Sequence, residues 1–252
     1  MQKQPDLDWP GQIHRELKAA GIRIVGFVPD GGHKRLIELC LADKSMRAVV
    51  LSTEEEGIGL AAGAWLGGEK AVLLMQSSGV GNVINTIGMN KECRFPLVSL
   101  VTMRGHEGEF NPWQVPMGQA TRTVLEAMGT IVHEASSAEA VAPTVNAALR
   151  LAYNSYASVA VLIAQRVIGI IYTHNGMYED AENALKQSIA IHNECGVQPR
   201  IAITTLDFAR LYQAQDLHAD ARAACEQALA EFQRMAMKWH IEEAKKQLAM
   251  SG

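Results

Sequence analysis

At 252 residues, 48% of them hydrophobic and 20% charged, the chain is long enough for one large domain or for an ordinary domain with an appendage, and too apolar to be disordered. A formal charge of −4 without any block of lysine or arginine argues against a nucleic-acid partner. No apolar run reaches bilayer-spanning length, and the polar, acidic start MQKQPDLDWPGQ lacks the features of a signal or transit peptide, which leaves a soluble cytoplasmic protein with no membrane partner.

Apolar residues at helical spacing (Trp9, Ile13, Leu17, Ala20) predict a first helix over residues 9–20, ended by Gly21. The continuous run IRIVGFV, residues 22–28, has strand length and is broken by Pro29-Asp30-Gly31-Gly32. Leu36, Ile37, Leu39 and Cys40 give the next helix its buried stripe. The alternation continues with strands near 46–51, 71–75, 97–103, 130–133 and 158–164, and helices near 55–66, 81–93, 119–128 and 138–153. Strands that read as apolar runs, separated by helices, belong to a parallel sheet covered on both faces. The expectation is an α/β doubly wound six-stranded domain over residues 1–166. Cys40, Cys93, Cys195 and Cys225 are too far apart for zinc spacing and read as reduced thiols.

Beyond residue 166 strand signals vanish and helical periodicity runs to the end, with a last helix over residues 238–250. Gly169, Tyr172, Gly176, Tyr178, Ala181, Leu185 and Ser188 recur at a constant offset as Ala209, Tyr212, Asp216, His218, Ala221, Cys225 and Ala228. That order of small, tyrosine, glycine, tyrosine, alanine, large and small residues resembles the tetratricopeptide repeat, with Asp216 and His218 departing from it at the turn. Small residues at facing positions let two helices pack closely, leaving no room for bulk at Ala181 or Ala221. Two copies and a final helix are fewer than such arrays need to stand alone, so residues 167–252 should lean on the first domain or on a protein partner.

Candidate chemistry collects where strand carboxyl ends should lie: Asp30, Glu54, Glu55, the Gln76–Asn82 segment QSSGVGN, read as a polar, glycine-punctuated loop, and the Arg104–Gln114 loop within the long 104–118 connection RGHEGEFNPWQVPMG. Each has a bland reading. Carboxylates at a helix start offset the helix dipole, Asp30 beside glycines forms an Asx-turn, and Ser78 with Gly79 caps a helix. The Gln76–Asn82 segment lacks the lysine of a P-loop and is not G-x-G-x-x-G. His33 and His106, the histidines near this edge, would ordinarily be solvated.

The combination changes the odds. Glu54, then LAAG, then a strand, then Gln-Ser-Ser-Gly-Val-Gly-Asn resembles the pyrimidine-binding domain of thiamine diphosphate enzymes. Within that superfamily VGFVPDGG, TEEEGIGLAAGAWLGG, LLMQSSGVGN and EFNPWQVPMG are similar to the alpha subunit of sulfopyruvate decarboxylase and the matching half of phosphonopyruvate decarboxylase. The resemblance covers roughly residues 10–169. It implies that Glu54, with Glu55 as second choice, hydrogen-bonds a ring nitrogen of the cofactor's aminopyrimidine and passes a proton there, activating the thiazolium carbon for attack on a 2-keto acid. It also implies that Pro29 and Asp30 face the substrate and the reactive carbon, that Gln76, Ser77, Ser78, Gly79 and Asn82 line the cofactor pocket, and that His106 meets substrate or assists proton transfer.

The second half of such enzymes holds the diphosphate and its magnesium with Gly-Asp-Gly and a later asparagine-rich turn, and no segment here fits. The resemblance therefore implies a heteromer, a thiamine diphosphate-dependent decarboxylase of small acidic 2-keto acids whose Mg2+ sits on a separate diphosphate-binding (PP-type) subunit. The rival reading, from a different class, is a catalytically silent scaffold or regulatory protein that binds partners through its helical repeats.

Overall fold

The computed structural model describes residues 8–104, 112–135, 137–164, 169, 173, 176–194 and 198–250. They fall into two compact units, one ending at Ala164 and one beyond it.

The first unit runs α1 (Trp9–Ala19), β1 (Ile22–Phe27), a 3-10 turn (Gly31–His33), α2 (Lys34–Ala42), β2 (Arg47–Val50), α3 (Glu54–Leu66), β3 (Lys70–Gln76), α4 (Ser77–Cys93), β4 (Leu97–Thr102), a second 3-10 turn (Pro112–Gln114), α5 (Val115–Ala127), β5 (Ile131–Ala135), α6 (Ala138–Ser155) and β6 (Ser158–Ile163). Its sheet has six strands in the order β2-β1-β3-β4-β6-β5, every pairing parallel. Because side chains alternate along a strand, β3 sends Leu73 and Met75 into one layer, with Ile58 of α3, Val80 and Val83 of α4 and Leu125 of α5. Val72 and Leu74, equally buried, face the other way, toward the layer where α1 packs against α2 and α6. This is the doubly wound α/β sheet expected from the apolar runs. β4 and β6 are buried along their whole length, as central strands covered on both faces must be.

The chain steps outward from β1 to β2, then returns across β1 to form β3. That reversal leaves a crevice at the carboxyl ends of β1 and β3, the position where open α/β sheets bind ligands.

The second unit contains α7 (Tyr178–Glu194), α8 (Gln198–Ala214), α9 (His218–Arg234) and α10 (Lys238–Met250), each packed on the next. Ala181 and Ala221 are fully buried, as the repeat pattern requires. At Gly169 an added Cβ would lie 2.8 Å from Leu185 Cγ and Cδ2. The equivalent pair one repeat later is Ala209 and Cys225, both buried, where the methyl gained on one side is matched by a shorter side chain on the other. Gly176 (φ 71°) and its counterpart Asp216 (φ 58°) both adopt left-handed backbone, so the departure noted at Asp216 keeps the turn. Tyr172 lies outside the described residues. No described helix is long and apolar enough to cross a membrane.

Candidate active site

Helix α3 opens on three consecutive carboxylates, and the fold gives them different surroundings. Glu55 and Glu56 are exposed, and Glu56 reaches back to accept the Ser52 N–H at 2.8 Å, one residue before the N-cap Thr53, which steadies the helix start. Glu54 turns inward and is only 5% exposed. Its Oε2 accepts a hydrogen bond from Asn82 Nδ2 at 2.7 Å, while its Oε1 has no hydrogen-bonding partner among the described residues. The carboxyl fits because residue 79 has no side chain: a Cβ there would sit 2.2 Å from Oε1 and 2.4 Å from Cδ. Burying a carboxyl with one satisfied oxygen costs free energy unless something else approaches the second. Of the two glutamates that spacing alone leaves open, Glu54 is the secluded one.

The Gln76–Asn82 segment is not a loop, which corrects the sequence reading. Helix α4 begins at Ser77, and Gln76 is its N-cap, with no side-chain cap on the first-turn N–H groups. Ser77, fully buried, accepts the Arg104 N–H at 2.8 Å and donates to the Arg104 carbonyl at 3.0 Å, stitching the ends of β3 and β4 together. Gln76 and Ser78 are half-buried, Gly79 is buried beside Glu54, and Asn82 is exposed except for the amide it sends to Glu54.

Asp30 follows β1 on the other side of the same edge. Its side chain is 4% exposed, and Arg104 Nη2 lies 3.5 Å from Oδ1. Thr102 Oγ1 donates to Oδ2 at 2.6 Å. Gly32 permits this approach: a Cβ there would lie 2.7 Å from Thr102 Cγ2 and 3.0 Å from Asp30 Oδ2. Pro29 is exposed. His33 is not the solvated histidine a loop would carry. It is fully buried, with Nε2 3.1 Å from the Leu100 carbonyl and Nδ1 without a partner in hydrogen-bonding geometry. Burial holds its pKa below the ordinary histidine value, against the opposing pull of Asp30 and the carbonyls of Leu100 and Met75. A neutral ring wedged between β3 and β4 is a packing element with one spare nitrogen. His106 lies outside the described residues, and the remainder of the 104–118 connection is shorter than expected, because a 3-10 turn begins at Pro112 and α5 at Val115.

Two functional-looking residues had little sequence signal. Thr102 is the lone hydroxyl at the end of an apolar strand, and Arg104 is the first cation after it. Each meets Asp30 only through the fold. Cys40 is buried and its thiol is pushed up to about 12, which makes it a poor nucleophile. Cys93 is exposed, Cys225 is buried, and Cys195 lies outside the described residues.

Among the described residues the arrangement offers a buried carboxyl with one oxygen unpaired, a helix start that its N-cap side chain does not cap, and an arginine beside a fixed aspartate, all at one strand edge. Comparison with known proteins adds to this geometry. The family described as thiamine pyrophosphate enzyme, N-terminal TPP binding domain, matches residues 11–119, and the tetratricopeptide repeat family matches residues 160–234. The chain is similar to sulfopyruvate decarboxylase subunit alpha of Methanococcus maripaludis, 38% identical over 115 residues that make up 45% of this chain and 69% of that protein. The same subunit of Methanothermobacter thermautotrophicus is 39% identical over 114 residues, with the same two shares, 45% and 69%. Phosphonopyruvate decarboxylase of Streptomyces viridochromogenes is 34% identical over 112 residues, 44% of this chain and 28% of that longer one. Among solved structures, 2-oxoglutarate:ferredoxin oxidoreductase from Magnetococcus marinus superposes with a TM-score of 0.50 at 17% identity, over 62% of this chain and 28% of that chain, a likeness of fold.

Proposed function

Because the chain belongs to the family of sulfopyruvate decarboxylase alpha subunits, whose N-terminal part is a thiamine diphosphate-binding domain, we propose that it is the pyrimidine-binding subunit of a cytoplasmic, heteromeric decarboxylase. Its substrate would be a small acidic 2-keto acid, sulfopyruvate or phosphonopyruvate. The observation that carries this reading is the buried Glu54, with Oε2 fixed by Asn82 and Oε1 lying over Gly79 without a partner. A carboxyl presented in this way fits a ring nitrogen arriving from outside the chain.

When bound, thiamine diphosphate supplies the carbon nucleophile for the keto group and the sink for the electrons left as carbon dioxide departs. The protein's own residues prepare for it. Glu54 holds and returns a proton at Oε1, and the Asn82 amide keeps the carboxyl in the orientation that exchange needs. Gly79 keeps the space in front of Oε1 open. Gln76, Ser77 and Ser78 form the rim at the start of α4, where uncapped N–H groups offer donors to a polar ligand. Pro29 and Asp30 border the substrate, and we assign His106 the role of meeting substrate or assisting proton transfer.

Among the described residues no three of His, Cys, Asp or Glu converge to hold a metal, and we assign the magnesium and the diphosphate to a separate PP-type subunit. We place the boundary between the catalytic part and the helical repeats near residue 166, and give residues 167–252 the task of binding a protein partner.

The test combines the full chain with a diphosphate-binding subunit, thiamine diphosphate, magnesium and each keto acid. Carbon dioxide release that depends on both polypeptides is expected. A Glu54→Gln variant should bind the partner and release carbon dioxide about 10²- to 10⁴-fold more slowly, the usual range for removing an acid-base group. Release at the wild-type rate would overturn the role of Glu54.

A further inference from the structure

We propose that Arg104 is the specificity-determining residue that reads the second acidic group of the substrate, the sulfonate or phosphonate that stays behind when the carboxylate leaves. This rests on the decarboxylase reading above and adds to it the group that recognises the acid.

The first argument is the state of the Arg104–Asp30 pair. Elsewhere in the same unit Arg35 closes on Asp8 with two contacts of 2.7 Å each, the fork geometry and length of a satisfied guanidinium-carboxylate pair. Arg104 stands off at 3.5 Å from a carboxylate far more buried than Asp8, with side-chain exposures of 4% for Asp30 and 23% for Asp8. A desolvated opposite charge should pull the arginine closer, so restraints on both residues oppose it. They are visible. The Arg104 main chain is pinned at both N–H and carbonyl by Ser77, and Asp30 is held through its other oxygen by Thr102 at 2.6 Å.

Arg104 is thereby anchored at the backbone and unsaturated at its head. The guanidinium has five N–H donors, and Asp30 is its one partner among the described residues. The head is 25% exposed, so it is open to a ligand yet shielded from bulk water. It lies at the carboxyl end of β4, joined through Ser77 to the start of α4, whose first-turn N–H groups carry no side-chain cap. Two residues further along α4, Gly79 carries the Glu54 carboxyl. The Glu54 carboxyl and the Arg104 main chain thus both meet the first turn of α4.

The second argument is chemical. In a 2-keto acid decarboxylation the carboxylate must lose its charge to become carbon dioxide. A cation on that group would stabilise the ground state over the transition state and slow the reaction. A sulfonate or phosphonate keeps its charge throughout, so a cation there adds binding without opposing the chemistry. Asp30 holds the arginine head from one side and leaves its remaining N–H donors for the acid. Arginine suits the task because its planar fork matches two oxygens of a tetrahedral acid.

The test uses the assembled heteromer and measures kcat and KM for sulfopyruvate, phosphonopyruvate and pyruvate. It also includes calorimetric titration with 3-sulfopropanoate, which carries the acid but cannot be decarboxylated. Arg104→Met should raise KM for the two diacids about 10- to 100-fold, the usual loss for a charged hydrogen-bonding partner, and leave pyruvate within about twofold. Titration of 3-sulfopropanoate should weaken by the same factor. Arg104→Lys should recover part of the loss with little change in kcat, and it carries the test should the methionine variant melt early. Equal losses for pyruvate and the diacids, or undiminished 3-sulfopropanoate binding in Arg104→Met, would overturn the proposal. If the wild-type heteromer releases carbon dioxide from none of the three acids, the decarboxylase reading fails, and the 3-sulfopropanoate titration still decides the role of Arg104 by itself.

Discussion

The two units of this chain use the same device, a missing side chain, for opposite ends. In the α/β unit Gly79 leaves room for a carboxyl, and Gly32 leaves room for an aspartate-threonine hydrogen bond. In the helical unit Gly169 leaves room for the apolar Leu185. In the first case the space admits a polar group that packing alone would exclude, and free energy is given up to place it. In the second the space is filled by hydrocarbon and the packing is itself the gain. A glycine beside a buried carboxyl therefore points to chemistry, and a glycine beside a leucine points to stability.

Adding one methyl in each place should break the two in different ways. Gly79→Ala puts a Cβ 2.2 Å from Glu54 Oε1, and the end of a flexible side chain is what must yield. The carboxyl should swing out, carbon dioxide release should drop about 10²- to 10⁴-fold as for Glu54→Gln, and the melting temperature should barely move. Gly169→Ala presses instead on Leu185 Cγ and Cδ2 at 2.8 Å. That overpacking should destabilise the helical unit by about 1–3 kcal/mol, seen as an earlier thermal transition with kcat unchanged. If Gly79→Ala lost stability and kept activity, the contrast would be wrong.

How much of this was legible beforehand follows the range of the interactions. Apolar runs and helical spacing are local signals, and the order of strands and helices along the α/β unit could be read from them. The start of α4 was misplaced because Gly79 and Gly81 are poor helix formers and Ser78-Gly79 looks like a cap. The glycine is there for Glu54, on another helix, and the helix already begins at Ser77, whose hydroxyl is spent on Arg104. The start of α5 was misplaced because Pro116 reads as a loop residue, although proline is welcome in the first turn of a helix. The Asp30–Thr102 bond joins residues 72 apart, and nothing in either neighbourhood announces the other. The repeat offset, by contrast, carried over even its departures: Asp216 stands in for Gly176 with the same left-handed backbone.

The buried histidine sharpens the comparison by making the α/β unit the acid-sensitive one. His33 is held neutral by desolvation in the folded state, while in the unfolded chain it takes up a proton near its ordinary value of about 6.5. Below that pH the unfolded state binds the extra proton, so stability rises with pH through this window and is lost as pH falls through it. The urea midpoint of the α/β transition should decline as pH drops from about 7 toward the lowered folded value, and His33→Gln should flatten that limb. A wild-type midpoint unchanged across the window would remove His33 from the account.

The smallest effect distinguishes the turns of the helical unit from one another. α8 and α9 both end in a Schellman arrangement: Leu217 N–H bonds the Tyr212 carbonyl at 2.9 Å and Asp216 N–H the Gln213 carbonyl at 3.1 Å, and Met237 and Ala236 repeat this on Phe232 and Gln233 at 2.9 and 3.1 Å. The second residue past each helix is left-handed, Asp216 at φ 58° and Ala236 at φ 54°. Glycine adopts that backbone without penalty, aspartate tolerates it through its short polar side chain, and alanine has no compensation for its Cβ. Ala236→Gly should therefore stabilise the unit by about 1 kcal/mol, and Asp216→Gly by less than half as much, read as the rise of the helical transition in the full chain. Equal gains at the two positions would mean that the aspartate side chain contributes nothing to its turn, and that its place in the second repeat is tolerated where glycine would serve better.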